Sequence, residues 1–135
     1  MIHTGGCLCG SVRYESQGDA VDSAYCHCKT CQLLSGSTVL PFASFLTETF
    51  AYVKSEPAIY RSSSFGQREF CASCGSQIAF RDNDHPETIE INVGTLDDPD
   101  RAAPRYHIWY DSRVSWFETA DDLPRHPTSL PEPGD

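Results

Sequence analysis

Cys26-His27-Cys28-Lys29-Thr30-Cys31 concentrates three of the seven cysteines of the chain in six residues. Two shorter motifs, Cys7-Leu8-Cys9 and Cys71-Ala72-Ser73-Cys74, contain the other four, so every cysteine belongs to a motif. The thiolate is the metal-binding form of cysteine, and a Cys-x-x-Cys turn directs both sulfurs toward one point. We therefore expect a fold organised around metal sites, built from a three-cysteine cluster (Cys26, Cys28 and Cys31) and two outer pairs (Cys7 with Cys9, Cys71 with Cys74).

A glycine directly follows each outer pair. Gly10 comes after Cys9, and Gly75 comes after Cys74. A turn that brings two cysteines to one metal often needs a residue with positive φ, which glycine adopts without steric cost. We therefore predict positive φ at both glycines.

The seven cysteines divide as four plus three, because four thiolates close a tetrahedral zinc site whereas three leave a position for water or substrate. One division groups the two outer pairs around a structural zinc and leaves the three-cysteine cluster as an open site. Another joins Cys28 and Cys31 to Cys71 and Cys74 as in a zinc ribbon, so that Cys7, Cys9 and Cys26 remain. A third interpretation makes one zinc site purely structural and the other three thiols spare. Spacing alone leaves these divisions open.

Length and charge narrow the class of protein. The chain has 135 residues, which fits one domain, and a formal net charge of -9. Such a charge repels phosphate backbones, so we expect neither nucleic-acid nor membrane partners. The start of the chain shows no secretory signal, and no apolar run is long enough to span a membrane. We expect a cytoplasmic protein whose thiols stay reduced and bind metal.

Short segments with period-two alternation dominate the chain, and Gly, Pro, Asn and Asp separate them. The predicted strands include residues 11–15, 50–53, 58–61, 77–80 and 88–93. One helix of one or two turns is expected from Lys29 to about Ser35. These signals predict a mostly antiparallel, mainly β domain over residues 1–118, followed by an acidic, proline-rich tail over residues 119–135 that is flexible or loosely attached.

Three ordered motifs resemble one known family. Residues 5–15, 26–32 and 68–77, extended by 94–98 and 104–109, resemble the glutathione-dependent formaldehyde-activating enzyme family, also called the family of centromere protein V. The resemblance covers roughly residues 3–118 and implies a β-tent fold of small antiparallel sheets organised around zinc. It also implies two zinc ions per chain. The structural ion would be held by Cys7, Cys9, Cys71 and Cys74, and the catalytic ion by Cys26, Cys28 and Cys31.

The same resemblance implies an activity, the condensation of formaldehyde with glutathione to S-hydroxymethylglutathione. We accordingly expect a zinc-dependent enzyme of the carbon–sulfur lyase type that acts on thiol adducts of formaldehyde or another small aldehyde, with glutathione as a possible partner. Two alternatives remain. One is a non-catalytic zinc module that binds a protein partner, and the other is a thiol redox or metal-buffer protein. The sequence leaves the oligomeric state open.

Several other side chains are candidates for the site. Two histidines are considered: His27 should point away from the metal because side chains of adjacent residues diverge, and His107 is expected as a packed histidine rather than a site residue. Trp109 is a candidate pocket wall. Five arginines could hold substrate carboxylates: Arg13, Arg61, Arg68, Arg105 and Arg113.

Overall fold

Ten strands and one α-helix make up the regular structure of residues 1–130, the part of the chain that the computed structural model describes. The strands are β1 (Ile2–Gly6), β2 (Arg13–Gln17), β3 (Asp22–Cys26), β4 (Leu40–Leu46), β5 (Phe50–Tyr52), β6 (Ala58–Tyr60), β7 (Gly66–Phe70), β8 (Gln77–Asp82), β9 (Thr88–Asn92) and β10 (His107–Ile108). The helix α1 spans Lys29–Ser35. Short 3-10 turns cover Thr47–Thr49, Val93–Thr95, Pro99–Ala102 and Tyr110–Ser112.

The strands form two sheets. The first has the order β1-β2-β5, and the second has the order β10-β3-β4-β9-β8-β7-β6. Every pairing is antiparallel except the one between β10 and β3, which is parallel and lies at the edge of the larger sheet. The prediction of a mainly β fold with antiparallel sheets and one short helix is confirmed.

The larger sheet has one face in the core and one face toward a cavity. On β9, Ile89 and Ile91 are fully buried in the core, and Glu90 between them points to the opposite face. Phe45 of β4 and Ile78 of β8 join the same core. The alternation that predicted the strand thus separates a packed face from a face that is available to a ligand.

The helix begins and ends with identifiable caps. Cys28 is its N-cap, and the Cys28 sulfur accepts a hydrogen bond from the backbone N–H of Cys31 at 3.3 Å. Gly36 ends the helix in the left-handed region at φ 72°, where glycine is favoured. The Ser35 hydroxyl donates to the Cys31 carbonyl at 2.6 Å, so this segment closes the helix. The predicted bounds of the helix are confirmed.

Residues 119–130, the described part of the predicted tail, lie along β10. The His107 N–H donates to the Pro124 carbonyl at 2.8 Å, and the His126 N–H donates to the His107 carbonyl at 2.9 Å. The Trp109 N–H donates to the Thr128 carbonyl at 2.8 Å. These hydrogen bonds hold the segment against the edge of the larger sheet. The boundary at residue 118 stays a prediction, and residues 131–135 lie outside the described part of the chain.

A buried carboxylate joins the two sheets. Glu69 of β7 is 3% exposed and accepts hydrogen bonds from the Tyr52 hydroxyl at 2.6 Å and from the Gln67 amide at 2.9 Å. It also forms an ion pair with Arg81 at 2.6 Å. Because Tyr52 lies in the smaller sheet and Glu69 in the larger one, this network fixes the sheets relative to each other.

We expect Glu69→Ala to lower the free energy of unfolding by about 3 kcal/mol, because it leaves a tyrosine hydroxyl and an arginine without their buried partner. Urea unfolding of the purified protein, followed by circular dichroism, measures the change. The control is Glu56→Ala, since Glu56 is exposed. A loss of less than about 1 kcal/mol would show that the network adds little to stability.

Candidate metal centres and the adjoining cavity

The sulfur atoms of all seven cysteines converge in two groups. Cys7, Cys9, Cys71 and Cys74 form a four-cysteine cluster, and Cys26, Cys28 and Cys31 form the three-cysteine cluster. Within each group the ligand atoms lie within 4.8 Å of one another. The structure thus brings the outer pairs together and keeps them apart from Cys28 and Cys31, as the first division has it. Both clusters could hold a metal ion.

The four-cysteine cluster lies where the two sheets meet. Cys7 and Cys9 are on the loop between β1 and β2, and Cys71 and Cys74 are on the turn between β7 and β8. The Cys7 and Cys9 sulfurs are 3.6 Å apart, and the Cys9 and Cys71 sulfurs are 3.8 Å apart. Distances of this size suit four sulfurs around one tetrahedral ion.

Hydrogen-bond donors around this cluster stabilise negative charge on sulfur. The Val12 N–H donates to Cys7 at 3.2 Å, and the Cys74 N–H donates to Cys71 at 3.4 Å. The Ser76 hydroxyl lies 3.2 Å from the Cys74 sulfur and, with a backbone N–H, lowers the pKa of Cys74 to about 5. The thiolate form of Cys74 is therefore favoured, which is the form that binds a metal.

The predicted glycine conformations are confirmed. Gly10 and Gly75 each have φ 81°. A side chain would strain the backbone at both positions, because L residues rarely adopt positive φ. Each glycine reverses the chain directly after the second cysteine of its pair.

The three-cysteine cluster forms where β3 passes into α1. Cys26 ends β3, Cys28 caps α1, and Cys31 lies in the first turn of that helix. The Cys26 and Cys31 sulfurs are 3.3 Å apart. Contacts from the Cys26 thiol, then from the Cys31 thiol and its backbone N–H, hold the pKa of Cys28 well below its usual range. Negative charge is therefore most stable on Cys28.

A cavity of about 940 Å³ adjoins the three-cysteine cluster, and all three of its cysteines line the cavity. No residue of the four-cysteine cluster is part of the lining formed by residues 1–130. Trp109, a predicted pocket wall, also lines it and has φ 55°, which is uncommon for a residue other than glycine. One cluster is therefore accessible to a small molecule from this cavity, and the other is not.

The five candidate arginines occupy different environments. Arg68 alone among them lines the cavity, and its guanidinium nitrogens lie 3.9 and 4.0 Å from the Cys31 sulfur. Arg13 pairs with Asp97 on the surface, and Arg61 is exposed. The other two, Arg105 and Arg113, donate to backbone carbonyls.

His27 and His107 form a buried chain outside the cavity lining. His27 Nε2 and His107 Nδ1 are 2.8 Å apart, and His107 Nε2 lies 3.2 Å from Asp121. Burial lowers the pKa of His27 to about 4, so its imidazole is neutral at pH 7. Neither histidine belongs to the metal-holding groups or to the cavity lining formed by residues 1–130. Both therefore have the packed positions that the sequence favoured.

The acidic and hydroxyl residues of the cavity lining that were not predicted from the sequence include Asp22, Ser44 and Glu90. Glu90 lies in a strand that was predicted, on the polar side of its alternation. A carboxylate in the middle of a strand, flanked by two buried isoleucines, is the signal that could have marked it. Asp22 and Ser44 lie in strands that the periodicity did not reveal.

These features define a mainly β protein with one closed four-cysteine group and one three-cysteine group at a cavity, each of which could hold a metal ion. The chain belongs to the glutathione-dependent formaldehyde-activating enzyme family, whose family model matches residues 2–112. The resemblance carried by the cysteine motifs is thereby confirmed.

Two relatives and one solved structure are similar to the chain. A Schizosaccharomyces pombe protein described as an uncharacterized lyase is 31% identical over 80 residues, which are 58% of this chain and 56% of that protein. The match thus spans little more than half of that relative. A Halomonas elongata protein whose name carries the same family description is 24% identical over 127 residues, 87% of this chain and 81% of that protein.

The solved structure supports the fold. A crystal structure of a Rhodobacter sphaeroides protein has a TM-score of 0.58 and 22% sequence identity, and the match covers 70% of this chain and 87% of that chain. At this identity the likeness concerns the fold alone. None of the helices within residues 1–130 has the length and apolar character that crossing a membrane requires.

Proposed function

We propose that the chain is a zinc-dependent enzyme of the carbon–sulfur lyase type, which joins a small thiol to formaldehyde or another small aldehyde and reverses that addition. The observation that carries the proposal is the position of the three-cysteine cluster at the cavity of about 940 Å³. Family membership supports glutathione as the thiol and formaldehyde as the aldehyde. The cavity volume lies within the range typical of small-molecule sites.

The donor atoms of both clusters fit zinc. Thiolate is a ligand that zinc favours, and the four-cysteine cluster supplies the complete tetrahedral set of a structural site. The three-cysteine cluster supplies three of four positions, which is the arrangement of a catalytic site. We therefore propose two zinc ions per chain, a structural one at Cys7, Cys9, Cys71 and Cys74 and a catalytic one at Cys26, Cys28 and Cys31.

The proposed reaction balances without an oxidant or a reductant. The thiol sulfur adds to the aldehyde carbon, the π electron pair of the carbonyl moves to oxygen, and the thiol proton ends on that oxygen. A carbon–sulfur bond forms and no group leaves. Zinc bound at the three-cysteine cluster would supply a position with affinity for sulfur that favours the thiolate form of the substrate.

The side chains around the cluster prepare it for this reaction. The helix cap geometry fixes Cys28 and Cys31 relative to each other, and the end of β3 fixes Cys26. Arg68 places positive charge beside the Cys31 sulfur, which offsets part of the negative charge of three thiolates. The cavity walls hold thiol and aldehyde together, which reduces the entropic cost of a reaction between two small molecules.

Elemental analysis of protein purified under reducing conditions, combined with an assay of adduct formation from formaldehyde and glutathione, tests this proposal. We expect about two zinc ions per chain, in keeping with the two clusters, and adduct formation faster than in buffer alone. One tightly bound ion and no acceleration with any thiol would contradict it and favour a non-catalytic zinc module. Formation of a disulfide within the three-cysteine cluster under mild oxidation, with release of one zinc, would favour a redox role.

A further inference from the structure

One row of residues crosses five strands of the larger sheet and lines the cavity. The strand register pairs Asp22 with Ser44, and Ser44 with Glu90. It continues by pairing Glu90 with Phe80, and Phe80 with Arg68. Directly paired residues point to the same face of a sheet, and all five residues belong to the cavity lining. The row therefore has carboxylates at one end, an aromatic ring between, and a guanidinium at the other end.

The carboxylate of Glu90 has hydroxyl partners but no cationic one. It accepts hydrogen bonds from Ser44 and, at 3.4 Å, from Thr88. Within residues 1–130, no lysine or arginine nitrogen forms an ion pair with it. Burial raises the pKa of Glu90, and the charges of Asp22 and Asp82 raise it further. This carboxylate is therefore costly to ionise without a positive partner.

The guanidinium of Arg68 is a positive charge that has no carboxylate partner within residues 1–130. It stacks on the Phe80 ring at 4.3 Å from the ring centre, and its Nε is buried without a hydrogen-bond partner in the described part of the chain. No carboxylate of residues 1–130 forms an ion pair with it. Arg13 and Arg81, by contrast, each have an acidic partner.

Buried charges in proteins are normally paired, because removing a charge from water costs several kcal/mol unless an opposite charge compensates. Glu90 and Arg68 are opposite charges in one cavity. Within the described protein Glu90 has no cationic partner, and Arg68 has no carboxylate partner, only the Cys31 sulfur at 3.9 and 4.0 Å. Two strand spacings separate their backbones, about 10 Å. A ligand with an ammonium and a carboxylate separated by the length of a short peptide would pair with both.

We propose that Glu90 and Arg68 determine the thiol specificity, Glu90 by binding an ammonium group and Arg68 by binding a carboxylate of a zwitterionic peptide thiol. The delivery of its sulfur to the three-cysteine cluster rests on the proposed function. The distance between Arg68 and the Cys31 sulfur supports this placement, because the bound carboxylate and the reacting sulfur then lie at the same end of the cavity.

Calorimetric titration of the zinc-loaded protein with thiols, without aldehyde, tests the proposal. The thiols are glutathione, its N-acetyl derivative, its diethyl ester and 2-mercaptoethanol. We expect wild-type protein to bind glutathione at least about tenfold more tightly than any of the other three, because each lacks at least one of the two charges. Equal affinity for all four thiols would overturn the proposal without the use of any variant.

Two variants assign the charges to residues. Glu90→Gln should lower the affinity for glutathione by about tenfold. It should leave the affinity for the N-acetyl derivative unchanged, because that derivative has no ammonium group for Glu90 to bind. Arg68→Gln should lower the affinity for glutathione and for the N-acetyl derivative. It should leave the affinity for the diethyl ester unchanged, because the ester has no free carboxylate for Arg68 to bind. Glu90→Gln keeps an oxygen that accepts from Ser44, so it should fold. The matched controls, Glu56→Gln and Arg61→Gln, replace exposed residues of the same types.

The pattern of results separates this inference from the function on which it rests. A uniform loss of affinity for all four thiols in both variants would indicate a structural role and overturn the inference. Charge-dependent binding without adduct formation from formaldehyde would support the binding roles of Glu90 and Arg68 and contradict the proposed reaction. Adduct formation with no dependence on either charge would uphold the reaction and contradict the inference.

Discussion

We expect Cys28→Ser to reduce the proposed acceleration of adduct formation by at least about 100-fold while the domain keeps its fold. Replacing a residue that only supports a metal ligand typically costs about 10–100-fold, so the loss of one of three ligands should cost more. Serine is a favoured helix N-cap, and its hydroxyl can accept the Cys31 N–H as the Cys28 sulfur does. Helix α1 should therefore form as before, and the change acts on metal binding alone.

Zinc content and circular dichroism separate these effects. The variant should hold about one zinc ion per chain instead of two and show an unchanged spectrum, since only the three-cysteine cluster loses a ligand. Leu33→Ala is the control, because Leu33 is an exposed residue of the same helix and does not line the cavity. Retention of zinc and activity within a few-fold of wild type would mean that Cys28 is not a ligand.

Cys74→Ser is expected to abolish cooperative unfolding. Structural zinc contributes about 10–16 kcal/mol to the folding of zinc-dependent domains, which is comparable to the whole stability of a typical domain. The four-cysteine cluster joins the β1–β2 loop to the β7–β8 turn, so its loss removes a connection between the two sheets. Cys74 is only partly buried, and a serine hydroxyl there remains accessible to water. The damage should therefore come from the missing metal rather than from a buried polar group.

Thermal unfolding and near-ultraviolet circular dichroism measure this result. The variant should give a broad, non-cooperative transition, and prolonged chelation of the wild-type protein should produce the same state. The control is Ser73→Ala, because Ser73 is an exposed residue of the same turn. This variant should unfold like the wild-type protein. A cooperative transition within about 1 kcal/mol of wild type would show that the four-cysteine cluster does not hold the fold together.

The local motifs were readable from the sequence. Cysteine spacing marked all seven cysteines as candidate metal ligands but left their division open, and Lys29–Ser35 has the predicted helix bounds. Strand β9 was predicted because its isoleucines alternate with polar residues. In each case the signal lies within a few residues of chain, where side-chain periodicity and turn chemistry determine the structure.

Strands β4 and β7 were not predicted, for physical reasons. In β4, Pro41 weakens the strand signal, and Phe42 faces the cavity where a polar residue would be expected. In β7, Arg68 and Glu69 are adjacent charges, a pattern more typical of a solvated turn. Their environments depend on partners far away in the chain. The pairing of Arg68 with Phe80 and of Phe80 with Glu90 likewise depends on strand register, which no local pattern determines.

The two clusters also differ in the length of the chain segment that must form a closed loop to bring the ligands together. Cys26 and Cys31 are five positions apart, whereas Cys9 and Cys71 are 62 positions apart. Loop-closure entropy makes the longer contact about 2 kcal/mol more costly before any metal is bound. During synthesis the three-cysteine cluster can therefore gather its ligands early, while the four-cysteine cluster must wait for the β7–β8 turn to emerge. Metal capture at the four-cysteine cluster would thus be a late, long-range event that completes the assembly of the two sheets.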